Sequence, residues 1–280
     1  MKLKLKPIFS HIILIIIAIL SLFPFLWLIS TSLKGIDENI FSYPPTFFPK
    51  DFTIENYIGV WGKVDFLKYF FNSSVVAIFT VILNLLFASM AAYPLARMEF
   101  KGKKIMFFAI LATIMIPFQA IMLPIYLIIL KLNLVDTISP INGYLGLILP
   151  FAVSAFGIFL MRQAFLAIPR ELEESAIIDG CNSWEIFFKI LLPMVKPTLT
   201  VLAIFTFIGS WGEFLWPSIV LTEEKMFTLP VGINNLQGIF SANWRYIAAG
   251  SIISIMPIII FFLSLQKYFI SGENEGAIKG

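Results

Sequence analysis

The chain of 280 residues is 59% hydrophobic and only 13% charged, with a mean hydropathy of +0.91. Soluble domains are about 45–50% apolar and about 25% charged, so this composition excludes a soluble enzyme, and it also excludes a disordered chain. A net charge of +3 indicates no nucleic-acid partner, and one Cys with one His excludes a disulfide and the usual zinc sites. The composition predicts an all-α polytopic membrane protein that holds no metal and no cofactor.

Six uncharged or nearly uncharged stretches are long enough to cross a membrane. A span needs roughly 20 apolar residues, and an open sheet would leave backbone groups unpaired in lipid, so each stretch is predicted to be a helix. The predicted spans are approximately 11–33, 70–96, 105–130, 141–162, 198–221 and 246–268. The first follows three lysines, as a signal peptide does, but it is too long for one, and we expect it to remain in the protein as a helix.

The distribution of lysine and arginine predicts the orientation of these helices. With the N-terminus inside, the cytoplasmic loops hold most of the 20 basic residues, and the short loop from Arg97 to Lys104 is the strongest indication. Both termini are therefore predicted to be cytoplasmic. Segment 34–68 then lies outside, where Pro44, Pro45 and Pro49 favour an extended crossing over a folded unit.

The predicted cytoplasmic loop at 167–197 has the clearest local signals in the chain. Pro169 suits the first position of a helix, and three glutamates that follow it are favoured by the helix dipole. Gly180 is a natural end for this helix. Asn182 followed by Glu185 resembles a capping box that begins a second helix. The loop is therefore predicted to form two short helices that lie across the membrane face.

The first of these loop helices has the features of a docking helix. The small side chains of Ser175 and Ala176 allow a partner to approach closely, and Leu172 shares a face with Ala176. Glu173 and Glu174 offer carboxylates to basic residues of that partner. This pattern is typical of a helix held in another protein's groove. A helix that rests on lipid is the alternative, although lipid-binding helices favour Lys and Arg.

Several motifs in the chain resemble one family of transport proteins. The loop carries, at the spacing of the EAA loop of ABC-importer permease subunits, Glu174-Ser175-Ala176, Gly180, Ile190 and Leu192-Pro193. The longer strings IPRELEESAIIDG and FFKILLPMVKPTL resemble carbohydrate permeases of the maltose-transporter G-subunit type, and ARMEFKGKK, WGEFLWPS and GENEGAIKG stand where that subfamily places them. Two positions depart from the pattern: Ser175 replaces the usual Ala, and Gly212 replaces the usual Asn before Glu213.

The resemblance implies a type I ABC importer permease fold with six transmembrane helices in a bacterial cell membrane. It implies a second homologous permease subunit, two cytoplasmic ATP-binding subunits, an extracytoplasmic solute-binding protein, a sugar substrate of the oligosaccharide type and surrounding membrane lipid. The first loop helix would be the coupling helix seated on an ATPase subunit, with contacts from Leu172, Glu173, Glu174, Ser175, Ala176, Asp179 and Gly180. The chain lacks the phosphate-binding motif G-x-x-x-x-G-K-[ST], so we expect ATP hydrolysis in the partners and no enzyme activity here.

Four residues in the predicted spans are candidates for the translocation path. Glu213 is the only acidic residue within a span, where a charge is costly. On the path it would accept hydrogen bonds from sugar hydroxyls, while Trp211 or Trp216 stacks on sugar faces. The alternative places Glu213 near the outer end of the fifth helix, in contact with water or backbone. Gln119 is a further polar candidate, whose alternative role is a hydrogen bond between packed helices.

Two other functions fit the composition less well than sugar import. An ion-coupled secondary transporter usually carries several ionisable groups near the middle of the membrane, whereas this chain has one Glu in six predicted spans. It also gives no reason for the acidic loop. An intramembrane serine protease needs a base beside its serine, and the single His11 lies at the edge of the first span.

Overall fold

A computed structural model describes residues 5–236 and 243–276 of the chain. Those residues are mainly helical, and their only named β pairing is an isolated antiparallel bridge between Lys34 and Phe52. The chain divides into two compact units. The first comprises Met1–Leu67 and Gly232–Met256, and the second comprises Lys68–Val231 and Pro257–Gly280. The prediction of an all-α protein is confirmed.

Most of the described helices are joined by short connections, whereas residues 33–54 separate α1 from α2. In chain order they are α1 (Leu5–Ser32), α2 (Glu55–Lys63), α3 (Phe66–Arg97), α4 (Lys103–Thr113), α5 (Phe118–Lys131), α6 (Pro140–Ile148), α7 (Ala155–Ala167), α8 (Glu171–Ile178), α9 (Ser183–Glu185), α10 (Leu192–Met194), α11 (Lys196–Trp211), α12 (Leu215–Val220), α13 (Leu229–Asn235) and α14 (Trp244–Gly276). A π-helical turn, Ile186–Leu191, joins α9 to α10. Short 3-10 turns lie at Leu149–Phe151 and Glu224–Met226.

Three described helices are individually long and apolar enough to cross a membrane, and three bent helix pairs meet the same test jointly. The single helices cover Phe9–Ser32, Phe66–Arg97 and Trp244–Gln266. Counting each bent pair as one span gives six candidate spans, the number in the predicted fold. The helix α4 bends by 98° into α5 at a break that includes Pro117. Proline has no N–H and disfavours a helical conformation in the residue before it, which accounts for a break here.

The fifth predicted span differs from the structure in its outer part. The prediction was one helix over 198–221, whereas α11 ends at Trp211 and the separate helix α12 begins at Leu215. Gly212 and Glu213 lie in the break. Helix α11 is paired at its other end with the loop segment Ser183–Met194, across a bend of 77°. An uncharged composition measures the length of an apolar stretch, but it does not show where that stretch changes direction.

Segment 34–68 is folded, which differs from the expected extended crossing. The carboxylate of Glu38 accepts hydrogen bonds from the backbone amides of Lys50 and Asp51 at 2.8 and 3.2 Å. Lys34 lies 3.8 Å from the same carboxylate and is buried. Burial raises the pKa of Glu38, but hydrogen bonds from the amides of Asp51 and Lys50 and from Thr46, together with the charge of Lys34, hold its pKa below the ordinary value. Two buried charges thus organise the proline-rich stretch, and α2 follows it.

The predicted cytoplasmic loop is packed into the largest core cluster of the second unit. Small residues of α3, including Ala88 and Ala92, allow α7 to approach closely through Met161 and Phe165. Residues of the loop complete the same cluster, among them Ala176, Ile186, Phe187 and Leu191. The loop is therefore held against the ends of the spanning helices as a rigid part of the unit.

Candidate functional site

The two short helices of the loop have the predicted caps. Gly180 follows α8 with φ of +86°, a left-handed conformation that glycine adopts without steric cost. The Asn182 side chain accepts hydrogen bonds from the amides of Trp184 and Glu185 at 3.0 and 3.1 Å. The Glu185 carboxylate accepts one from the Asn182 amide at 3.1 Å, which completes the capping box. Both predicted boundaries of the turn are confirmed.

An exposed ion pair lies on the surface of the second loop helix. The Lys189 ammonium donates a hydrogen bond to Glu185 at 2.8 Å, and this bond lowers the pKa of Glu185 and raises the pKa of Lys189. Both groups are solvent-exposed, so the pair supports the helix without fixing its position. The packing of Phe187 and Leu191 in the core does fix it.

Two of the seven predicted contact residues point into this chain. Glu173 forms an ion pair with Arg97, the last residue of α3, with 2.7 Å between Oε1 and Nε. The two side chains are 15% and 4% exposed. Arg97 also donates a hydrogen bond to the backbone oxygen of Ile168 at 2.6 Å. Ala176 is buried in the core cluster, three residues further along the same face of α8. Glu173 and Ala176 therefore anchor α8 to α3 and to the core cluster.

The other five predicted contact residues are exposed in this chain. They are Leu172, Glu174, Ser175, Asp179 and Gly180. Three large apolar side chains of the same loop, which sequence reasoning missed, are exposed beside them: Ile177, Ile178 and Trp184. Ile178 is 85% exposed, and the Trp184 ring stacks on Phe188 at 6.0 Å. Large apolar groups exposed together on a rigid element are typical of a protein contact surface.

A second feature is a cavity of about 320 Å³ within the second unit, which we call the groove. Its walls come from α3, the bend between α6 and α7, and the end of α11 with the start of α12. Thr206, Gly209, Ser210 and Glu213 line it at helical spacing, so that α11 and the break after it present a polar stripe. Phe156 and Phe205 also line it, in an edge-to-face contact at 5.8 Å. Polar groups aligned on one face of a membrane helix are typical of a water-accessible path.

Of the four predicted path residues, the structure brings Glu213 and Trp216 to the groove. Glu213 is partly buried, and its Oε1 accepts a hydrogen bond from the Trp216 amide at 3.1 Å. The carboxylate therefore contacts backbone and also lines a cavity, and its place on the translocation path stays a prediction. Trp216 is fully buried, its indole N–H donates to the Gly146 carbonyl at 3.1 Å, and its ring packs against Phe118.

The other two candidates lie away from the groove. The Trp211 ring is buried against Phe70 and Phe207, where it lines a separate apolar pocket. Gln119 is exposed in the first turn of α5. No described residues group three or more His, Cys, Asp or Glu side chains as a metal site would need.

The model of the family described as "Binding-protein-dependent transport system inner membrane component" matches residues 84–272, which include the loop at 167–197 and most of the groove. The chain belongs to this family. It is a permease of the binding-protein-dependent type, and the predicted resemblance is confirmed.

Similar proteins support the assignment over nearly the whole permease. It is 40% identical to the arabinooligosaccharides transport system permease protein AraQ of Bacillus subtilis, over 94% of this chain and 92% of that protein. It is 31% identical to the diacetylchitobiose uptake system permease protein DasC of Streptomyces coelicolor, over 98% and 97% of the two chains. Its fold matches a crystal structure of a bacterial ABC transporter for the acidic polysaccharide alginate, with a TM-score of 0.79 and 26% identity, over 95% of this chain and 97% of that one. The type I importer fold is thereby confirmed.

Sequence reasoning missed several residues of this permease that the structure places at the two features. Arg97 lies far from Glu173 in sequence, and no local pattern joins them. The polar stripe, in contrast, is visible in the sequence as T-x-x-G-S-x-x-E, from Thr206 to Glu213. Its meaning depends on the residues opposite, which come from α3 and α7.

Proposed function

We propose that this permease carries neutral oligosaccharides across a bacterial cell membrane, as one of two homologous membrane subunits of an ATP-driven importer. Two cytoplasmic ATP-binding subunits dock on the coupling loop, and an extracytoplasmic solute-binding protein delivers the sugar. The names of the similar permeases AraQ and DasC support this substrate class. The observation that carries the proposal is the exposed apolar surface of a loop that is itself anchored in the core.

The coupling surface consists of the exposed residues of α8 and its turn. Leu172, Ile177 and Ile178 supply apolar contact, and Glu174 supplies a carboxylate for a basic residue of the ATPase subunit. The small side chain of Ser175 allows the ATPase subunit to approach α8 closely, and its hydroxyl donates a hydrogen bond to the Glu171 carbonyl at 2.8 Å. Glu173 and Ala176 do not meet the partner in this proposal. They link the docked ATPase subunit to α3 and the core, Glu173 through its ion pair with Arg97 and Ala176 through close packing.

The coupling loop and both termini lie on the cytoplasmic side. The ion pair of Arg97 with Glu173, and the contact of Arg170 with Glu99 at 3.9 Å, place the basic loop after α3 beside the coupling loop. The positive-inside rule assigns that basic loop to the cytoplasm. The orientation also puts the docking surface where ATP is available.

Uptake of labelled arabinotriose and of labelled diacetylchitobiose by cells that express the complete importer tests the proposed function. We expect uptake of at least one of them to stop when ATP is depleted and to continue when a protonophore removes the proton gradient while ATP is maintained. ATP hydrolysis in the partner subunits is then the energy source. Uptake that follows a proton or sodium gradient and survives ATP depletion would instead identify a secondary transporter.

A further inference from the structure

A buried hydroxyl in the wall of the groove has no hydrogen-bond partner in the described part of the chain. Thr80 of α3 is 1% exposed and lines the groove, and its Oγ1 makes no hydrogen bond to any described residue. Other hydroxyls of the same helix are satisfied by the backbone one turn earlier: Ser74 donates to Phe70 at 2.8 Å, and Ser89 donates to Leu85 at 2.6 Å. A buried, unpaired hydroxyl is rare in folded proteins because it costs stability. A hydroxyl left unpaired in a cavity wall is suited to a polar ligand.

The polar groups of the groove are matched to hydroxyl groups rather than to charges. The only charged side chain among the lining residues is Glu213, whose carboxylate accepts hydrogen bonds and repels anions. The hydroxyls of Thr206 and Ser210 both donate and accept, and they lie on the same stripe. The lining includes no Lys or Arg that could neutralise a sugar acid.

The size and the aromatic wall of the groove suit one sugar ring. A volume of about 320 Å³ is at the lower end of small-molecule pockets, which run from roughly 300 to 1,000 Å³. The half-exposed rings of Phe156 and Phe205 form an apolar surface beside the polar stripe. A pyranose or furanose ring has the same division, with C–H groups on its faces and hydroxyls around its edge.

We infer that the groove is a transit site for one neutral sugar ring of the oligosaccharide, held by hydroxyl contacts with Glu213, Ser210 and Thr80 and by ring contact with Phe156. This inference rests on the proposed function and deepens it by assigning sugar contacts to this subunit. An oligosaccharide then passes the groove ring by ring. Sugars that carry a carboxylate are disfavoured, because Glu213 repels them.

Paired threonine-to-valine variants of the whole importer test this site. Thr228 is the matched control, because its Oγ1 is likewise buried without a partner among the described residues but does not line the groove. Valine keeps the shape of threonine and removes the unpaired group, so neither variant should be less stable. At sugar concentrations below saturation, we expect Thr80→Val to lower uptake of arabinotriose or diacetylchitobiose per assembled complex by about three- to tenfold. We expect Thr228→Val to leave this uptake unchanged.

Glu213→Gln supplies the second measurement, because the amide keeps the size of the side chain and removes its charge. We expect uptake of the neutral sugar per assembled complex to fall about tenfold or more, and uptake of an unsaturated or saturated uronic-acid trisaccharide to rise relative to it. Wild-type rates and selectivity in both Thr80→Val and Glu213→Gln would overturn the inference while leaving the proposed function intact. A lower unfolding temperature of the Thr80→Val complex that accounts for its whole loss of uptake would also overturn it. If the wild-type importer takes up neither neutral sugar, the proposed function itself fails.

Discussion

Replacing Gly180 by tryptophan should lower sugar uptake more than tenfold and release the ATPase subunits, whereas Gly102→Trp should leave both close to wild type. The two glycines are closely matched. Each has φ of +86°, and a Cβ at either position meets no atom within 4 Å. The left-handed conformation costs each variant about 1–2 kcal/mol, so the strain within this chain is similar. Only Gly180 borders the proposed docking surface, and a bulky side chain there keeps the ATPase subunit from seating.

A charge reversal on the same surface should have a comparable effect. Glu174 is exposed and enters no ion pair with the described residues, so Glu174→Lys removes no contact within this chain. It places like charges together at the ATPase contact. Glu55→Lys, at an exposed position in the first turn of α2 and outside the coupling surface, is the control.

Co-purification of the ATPase subunits and uptake per complex measure these four variants. Gly180→Trp and Glu174→Lys should lose both properties while reaching the membrane in normal amounts. If they retain ATPase binding and uptake at the level of Gly102→Trp and Glu55→Lys, the coupling surface is wrongly placed.

Removing the arginine that anchors the coupling helix should cost about 3–5 kcal/mol of stability, because Arg97→Ala leaves Glu173 buried beside no cation. Replacing both partners by apolar residues of similar size, as in Arg97→Met with Glu173→Leu, should recover most of that loss. If the charges themselves are needed to hold α8 in the orientation that supports transport, uptake stays low in the double variant although its stability recovers.

Thermal unfolding of the purified complex measures this effect. Lys189→Ala is the control, because it breaks the exposed ion pair with Glu185 on the next loop helix and should change the unfolding temperature little. An Arg97→Ala complex as stable as Lys189→Ala would show that the buried pair does not anchor the loop.

The local structure of the coupling loop could be read from the sequence because its signals act over a few residues. Gly180 ends a helix by its own backbone freedom, and Asn182 with Glu185 cap the next one within a single turn. The anchoring of that loop could not be read in this way. Glu173 and Glu174 are adjacent residues of the same type, and only the tertiary structure shows that Arg97 pairs with Glu173.

The candidate translocation site was only partly predictable for a related reason. Glu213 is conspicuous as a charge in an apolar stretch, and it does line the groove. The aromatic rings of Trp211 and Trp216 predict sugar stacking, but both rings are enclosed by this chain's own aromatic residues. Thr80 and Ser210 are ordinary residues in an apolar helix, and they become candidates only when tertiary packing places them around one cavity.

Photo-crosslinking from Ile178 tests whether the coupling helix lies against an ATPase subunit. A benzophenone amino acid at Ile178, which is 85% exposed, should form an adduct with the ATPase subunit in intact cells, and this also places the loop in the cytoplasm. The same probe at Ile105 of α4, which is 78% exposed on an apolar helix, should label phospholipid instead. A phospholipid adduct from Ile178 with no ATPase adduct would show a helix that rests on the membrane, and would contradict the account.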